Sequence, residues 1–289
     1  MSTAALRLAI ALVALALGIA GAGAQERVSF PSHDGDLTGG APTMLTGVLY
    51  RPAGDGPFPA VVGQHGCSGQ GSPDGTLFGT YADWSAVLTR AGFVVLWVDS
   101  FSVRNERQVC RQAPASVSPM NVRPRDAAGA LAWLRARPDV RGDRVALAGW
   151  SHGGASAMAT IGQRAGRRVL PAGVDFRSAV VFYPGWCRER WMAGWGTTIP
   201  TLFLLGGADD WTPAAPCEAV LDAARAAGSP IEAVIYPDAH HGFDAAFAPR
   251  SQPNATTASG RPPTVGGHPA ARADARARMI AFLTRTLGD

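Results

Sequence analysis

Residues 147–158, "LAGWSHGGASAM", pass from an apolar run through a serine into a series of small residues. They contain Gly149-x-Ser151-x-Gly153, a weak pattern by itself in a chain with 35 glycines, so the flanks decide the reading. Upstream, "RVALAGW" (144–150) has the continuous apolar character of a strand covered on both faces. Downstream, residues 153–165 read as a helix whose first residues are too small to obstruct a sharp turn. A strand that turns abruptly into a helix at a serine is a nucleophile elbow. Gly149 and Gly153 leave room where larger side chains would clash, and Ser151 rises into the cleft at the carboxyl edge of the strand. The helix start adds a positive dipole end, and the backbone N–H of His152 is placed to face a developing oxyanion. The competing reading is a glycine-rich turn with a solvated serine.

Further out, strand-like runs recur at 46–51, 59–64, 93–99, 179–184, 201–206 and 232–237. Helical stretches at 77–91, 124–136, 214–227 and 270–286 alternate with them. This alternation predicts an α/β fold with a doubly wound, mainly parallel sheet in one domain, residues 25–289. Two segments resist the pattern: 100–120 reads as a long loop and 244–268 as a surface run rich in Pro, Ala, Thr and Gly. The latter holds a formal glycosylation acceptor, Asn254-Ala255-Thr256.

A serine hydroxyl needs a base, itself held by an acid, and the order expected for this fold is Ser, then Asp or Glu, then His. "LLGGADDWTP" (204–213) supplies the acid just past a strand, as Asp209 or Asp210. "YPDAHHGF" (236–243) supplies the base, as His240 or His241. Taken singly, each is as readily a loop cap or a hydrogen-bonded loop residue; three agreeing signals in the required order favour a triad. "GQHGCSGQG" (63–71) follows another strand, and its small residues let a backbone N–H approach a substrate oxygen. Cys67 is the expected second oxyanion donor, through its backbone N–H, with His65 holding the loop.

The set "HGCSG", "DSF", "GWSHGG", "FYPG", "GADDWTP" and "HHGFD" resembles the dienelactone hydrolase-like branch of the α/β-hydrolases, over residues 46–287. The resemblance implies Asp209 as the acid, four residues before Pro213, and His241 as the base, directly before Gly-Phe. The founding enzymes carry cysteine as nucleophile where this chain carries Ser151, so the resemblance implies a serine esterase working through an acyl-enzyme on carboxylic esters or lactones. A small-molecule ester is the expected partner, and no cofactor is expected. A peptidase of the prolyl oligopeptidase type shares the elbow and the triad order, but that family carries a large propeller domain for which 289 residues leave no length. The rival from another class is a ligand-binding protein that retains the fold without chemistry.

Composition narrows the setting. Residues 1–24 carry Arg7, an apolar run from Leu8 to Ala20 and the small residues Ala22-Gly23-Ala24, the layout of a cleavable signal peptide. A bacterial periplasm or the medium is the expected location, with no stable membrane association after cleavage. There Cys67, Cys110, Cys187 and Cys217 can be oxidised. In the expected fold each follows a strand on the same edge of the sheet, and sequence proximity favours Cys67 with Cys110 and Cys187 with Cys217. No Cys-x-x-Cys pair occurs and the histidines are not spaced as ligands, so no metal site is expected. The net charge of +4 rests on scattered arginines, with no lysine, which argues against nucleic acid. Trp150, Trp186, Trp191, Trp195 and Trp211 either line a cleft or cover the core, and Arg104 and Arg188 follow strand ends, where each either meets a substrate carboxylate or forms a structural ion pair.

Overall fold

The computed structural model describes residues 25–72, 74–111, 116–163, 168–188 and 192–288. The leader-like residues 1–24 and Trp191 lie outside them. Eight strands form one sheet: β1 (Gln25–Pro31), β2 (Met44–Tyr50), β3 (Phe58–Gln64), β4 (Val94–Asp99), β5 (Val140–Trp150), β6 (Ser178–Phe182), β7 (Thr201–Gly206) and β8 (Ile231–Tyr236). Their spatial order is β1-β2-β4-β3-β5-β6-β7-β8. β2 pairs antiparallel with β1 and β4, and every pairing from β4 through β8 is parallel.

The central strands are apolar on both faces because helices cover both. Along β5, Val145 and Leu147 point to one layer while Ala146, Ala148 and Trp150 point to the other. The first layer is α3 (Val122–Arg135), α4 (His152–Ile161) and α5 (Ala214–Ala226); the second is α2 (Gly79–Arg90) and α6 (Pro269–Leu287). A short helix, α1 (Gly35–Thr38), follows β1. The sheet is therefore the doubly wound α/β arrangement that the alternation of apolar runs implied.

β1 is the strand that the apolar pattern missed. Its side chains alternate, with Val28 and Phe30 buried and Gln25, Arg27 and Ser29 exposed, as suits an edge strand with one face in water. The two segments expected as loops each contain local order: a 3-10 turn at Ser102–Arg104, and a two-stranded pair of β9 (Arg250–Ser251) with β10 (Thr264–Val265).

Because the chain leaves β3 toward β4 and returns across it to β5, β3 and β5 are neighbours that exit at the same edge. The loops after β3, β5, β6, β7 and β8 all open there, which is where a crevice forms in such a sheet.

Candidate active site

Between β5 and α4, Ser151 adopts φ 55° and ψ −112°, a backbone state rare for a residue with a side chain. The two flanking glycines make the turn possible. A Cβ on Gly149 would lie 2.2 Å from the Gly153 carbonyl oxygen, and one on Gly153 would lie 2.0 Å from the Gln64 carbonyl oxygen. Ser151 occupies the N-cap of α4, where a serine hydroxyl ordinarily accepts from a helix amide, yet it makes no such cap bond. Its hydroxyl is turned to His241, with Oγ 3.0 Å from Nε2.

His241 follows β8 and Asp209 follows β7, neighbours in the sheet. His241 Nδ1 lies 2.8 Å from Asp209 Oδ2, so Nδ1 carries the proton and Nε2 is left to accept from Ser151. Asp209 Oδ1 accepts from the backbone N–H groups of Trp211 and Thr212 at 2.9 and 2.8 Å. The Thr212 hydroxyl sits at the junction, 2.9 Å from Asp209 Oδ2, 3.0 Å from His241 Nδ1 and 3.1 Å from the Tyr183 carbonyl oxygen. Asp209 and His241 are both buried. Their sequence neighbours turn elsewhere: Asp210 is exposed and accepts from the Thr264 amide, and His240 meets the Ala208 carbonyl oxygen.

The loop after β3 packs directly on the elbow: a Cβ on Gly66 would lie 3.7 Å from the Ser151 Cβ. The amides of Cys67 and His152 donate to no described residue, and Gly66 N–H donates to the Tyr81 hydroxyl at 2.8 Å. A disulfide joins Cys67 to Cys110, and the Val109 amide donates to the Cys67 carbonyl oxygen, so the loop is fastened to the segment after β4. A second disulfide joins Cys187, after β6, to Cys217 on α5. Both pairings match the expectation from sequence proximity.

Both neighbours of Ser151 are held from below. Asp244, 1% exposed, accepts from Trp150 Nε1 at 2.8 Å, Trp84 Nε1 at 2.7 Å and the Tyr183 hydroxyl at 2.6 Å. The Tyr183 ring in turn packs 4.6 Å from the His241 ring. On the other side, Arg123 is fully buried and donates to His152 Nδ1 at 2.8 Å. Burial pushes the guanidinium down to about 10, so it stays a cation at neutral pH. Burial and the Arg123 charge push the His65 imidazole down to about 3, and burial, Arg123 and His65 hold His152 well below the usual histidine range. Both rings are neutral. His65 donates from Nδ1 to the Gly66 carbonyl oxygen, the loop-holding role expected of it.

Ser151 and His241 open into a cavity of about 630 Å³ walled by Tyr81, Trp150, Tyr183, Trp211 and Phe247. Trp195, by contrast, is core, its Nε1 donating to the Met158 carbonyl oxygen. Arg104 is no substrate contact: it is bound to Asp34 and Asp126 at 2.9 and 2.8 Å, the structural fate of a half-buried guanidinium. Arg188 is exposed and lines no part of this cavity. Arg250 stands at its wall, stacked 4.5 Å over the Phe247 ring. Among the described residues, no group of three or more His, Cys, Asp or Glu side chains is placed to hold a metal ion.

Sequence reasoning missed Asp244, Thr212, Tyr183 and Arg123. The signal for Asp244 was a lone acid in the apolar and small-residue run 242–248, three residues after His241.

A mainly parallel sheet with a serine elbow after β5, and an acid and a histidine after β7 and β8, defines an α/β-hydrolase fold. The chain belongs to the dienelactone hydrolase family, whose model matches residues 45–287. It is a hydrolase of that family. No curated protein matches the chain. Solved structures share the fold at low identity. A dienelactone hydrolase-like promiscuous phosphotriesterase from metagenomic libraries is 22% identical, with TM-score 0.60, over 91% of this chain and 99% of that one. Esterase 2 of Thermogutta terrifontis, phosphorylated by paraoxon, is 20% identical, with TM-score 0.57, over 83% and 88%. Dipeptidyl peptidase 4 of Porphyromonas gingivalis is 18% identical, with TM-score 0.63, over 92% of this chain but 36% of that one.

Proposed function

We propose that the protein is a serine esterase that cleaves carboxylic esters through an acyl-enzyme. The observation that carries this reading is the continuous hydrogen-bonded path from Ser151 through His241 to Asp209 at the floor of an aromatic cavity. His241 Nε2 takes the Ser151 proton as Oγ attacks the ester carbonyl, and the amides of Cys67 and His152 donate to the oxyanion. His241 then gives that proton to the departing alkoxide. Water, deprotonated by the same nitrogen, releases the acid and restores Ser151. Asp209 keeps His241 in the required tautomer and balances the imidazolium that forms.

The esterase and phosphotriesterase names among the structural neighbours support a nucleophile of this kind. The test is intact mass after exposure to a small fluorophosphonate, with p-nitrophenyl acetate turnover in parallel. One adduct on the wild type, none on Ser151→Ala, and a fall in kcat of about 10⁴-fold or more are expected. A folded wild type that takes no adduct overturns the reading, and cleavage of peptide amides but not esters replaces it with a peptidase.

We also infer that the protein works outside the cytoplasm. The leader-like composition of residues 1–24 and the two disulfides support this, and among the described residues no helix is long and apolar enough to cross a membrane. Mature protein recovered from periplasm or medium with its N-terminus near Gln25 is the expected result.

A further inference from the structure

A second cavity, of about 370 Å³, adjoins the one that holds Ser151, and the two share Ser68, Phe78 and Gln252. The outer one carries the larger share of polar side chains. Among the described residues, four large apolar side chains are exposed, and two of them, Phe78 at 45% and Phe247 at 40%, stand on the wall of the inner cavity. Aromatic rings left in water at the edge of an aromatic pocket are covered when an apolar group enters it.

The outer cavity is lined by Gln70, Gln108, Gln252 and Asn254, with Asp99 and Arg107, beside the rings of Phe78 and Phe101. Gln70 is 6% exposed, its side chain makes no hydrogen bond to a described residue, and its Oε1 is buried without a partner. A carboxamide in that state is stabilised when its side chain turns to a ligand whose groups complete its bonds. Asp99 Oδ1 accepts from the Phe101 and Ser102 amides at 3.0 Å each, leaving Oδ2 for a donor. One carboxylate and one guanidinium offset each other, so the groove is not organised for an anion. Neutral groups that both donate and accept, with an acid among them, match adjacent hydroxyls.

We propose that the substrate is an acylated sugar, its apolar acyl group in the inner cavity and its polyhydroxylated alcohol in the outer one. This rests on Ser151 being the nucleophile. The bond from Ser151 Oγ to the acyl carbon forms as the bond from that carbon to the sugar oxygen breaks. The serine proton passes through His241 to the sugar oxygen, which leaves as a hydroxyl, and water frees the acid.

The experiment compares methyl cinnamate with methyl 6-O-cinnamoyl glucoside, after fluorophosphonate labelling has established whether Ser151 reacts. Expected is a kcat/KM about tenfold or more higher for the sugar ester in the wild type, because a site built to bond hydroxyls discriminates against an analogue lacking them. In Gln70→Leu, and separately in the double variant Gln252→Ala/Asn254→Ala, that ratio falls to about one. The double variant keeps the test open if Gln70→Leu does not fold. A labelled wild type that treats the two esters alike, or turns over neither, overturns this proposal and leaves the nucleophile standing. So does a preference for a malate ester over the sugar ester, or a sugar preference that persists in both variants. No labelling and no turnover overturn the serine esterase reading and this proposal with it.

Discussion

The residue before Ser151 and the residue after it are both anchored by a buried charge, and the two anchors are built differently. Trp150 is held by Asp244, an anion that accepts from three neutral donors on three different parts of the chain. His152 is held by Arg123, a cation whose one hydrogen bond ends on a neutral ring, and whose Nε and Nη2 have no partner among the described residues. Carboxylates at greater range, Asp126 and Asp99, favour its charge. The first anchor is thus complete in hydrogen bonds, while the second relies on longer-range charge and on two imidazoles that stay unprotonated. A buried charge is tolerated in either way, but the first ties its neighbours far more tightly.

That difference sets the order of the effects expected from mutation. Asp244→Ala strands two indole N–H groups and a phenol hydroxyl in the interior, at about 1–3 kcal/mol each, so a loss of about 4 kcal/mol or more is expected in urea denaturation. Tyr183, freed from Asp244, no longer backs the His241 ring, and the rate of fluorophosphonate labelling should fall along with stability. A loss below about 1 kcal/mol, in the range of an ordinary surface substitution, would mean that the three donors find other partners and that Asp244 is not what satisfies them.

Arg123→Met removes a cation that is only partly bonded, and an apolar side chain of similar length fills its place. The His152 Nδ1 acceptor loses its donor, but the desolvation of the guanidinium is relieved, so the net cost should be at most about 2 kcal/mol. If urea denaturation instead shows Arg123→Met to be as damaging as Asp244→Ala, the contrast between the two anchors fails.

The asymmetry also explains what the sequence disclosed. The sheet, its covering helices and the elbow were legible because local patterns encode them: continuous apolar runs for β3 to β7, and small residues around Ser151. The segments carrying Asp209 and His241 were legible for the same reason, since each follows an apolar strand. Adjacent candidates stayed open on pattern alone, because in a tight loop neighbouring side chains diverge, Asp210 toward Thr264 and His240 toward Ala208. Asp244 was not legible as an anchor: its partners lie 160, 94 and 61 residues away, so no local spacing records them. Arg104 stayed open for a related reason. Its place after a strand end allowed a substrate contact or a structural ion pair, and the carboxylates that decide for the ion pair come from the loop after β1 and from α3, 70 and 22 residues away.

The smallest expected effect is the one that tests the second anchor most directly, and it is read from pH. His65 is fully buried, and its imidazole is held at about 3 by burial and by Arg123, opposed in part by Asp99, against an ordinary value of 6.5. The unfolded chain therefore binds a proton between pH 6.5 and 3 that the folded chain does not. Its contribution to stability is fully present above pH 6.5 and is lost as pH falls toward 3. From pH 6.5 to 5.5 this amounts to about 1 kcal/mol for one such histidine. His152 is displaced in the same direction and adds to the same slope. His65→Gln keeps a hydrogen-bonding side chain in the loop but cannot titrate, so its stability should fall less steeply over that interval than the wild type's. Identical pH slopes for the two proteins would show that His65 takes up its proton in the folded state as readily as in the unfolded one. The Arg123 charge would then be compensated locally, and the second anchor would be as complete as the first.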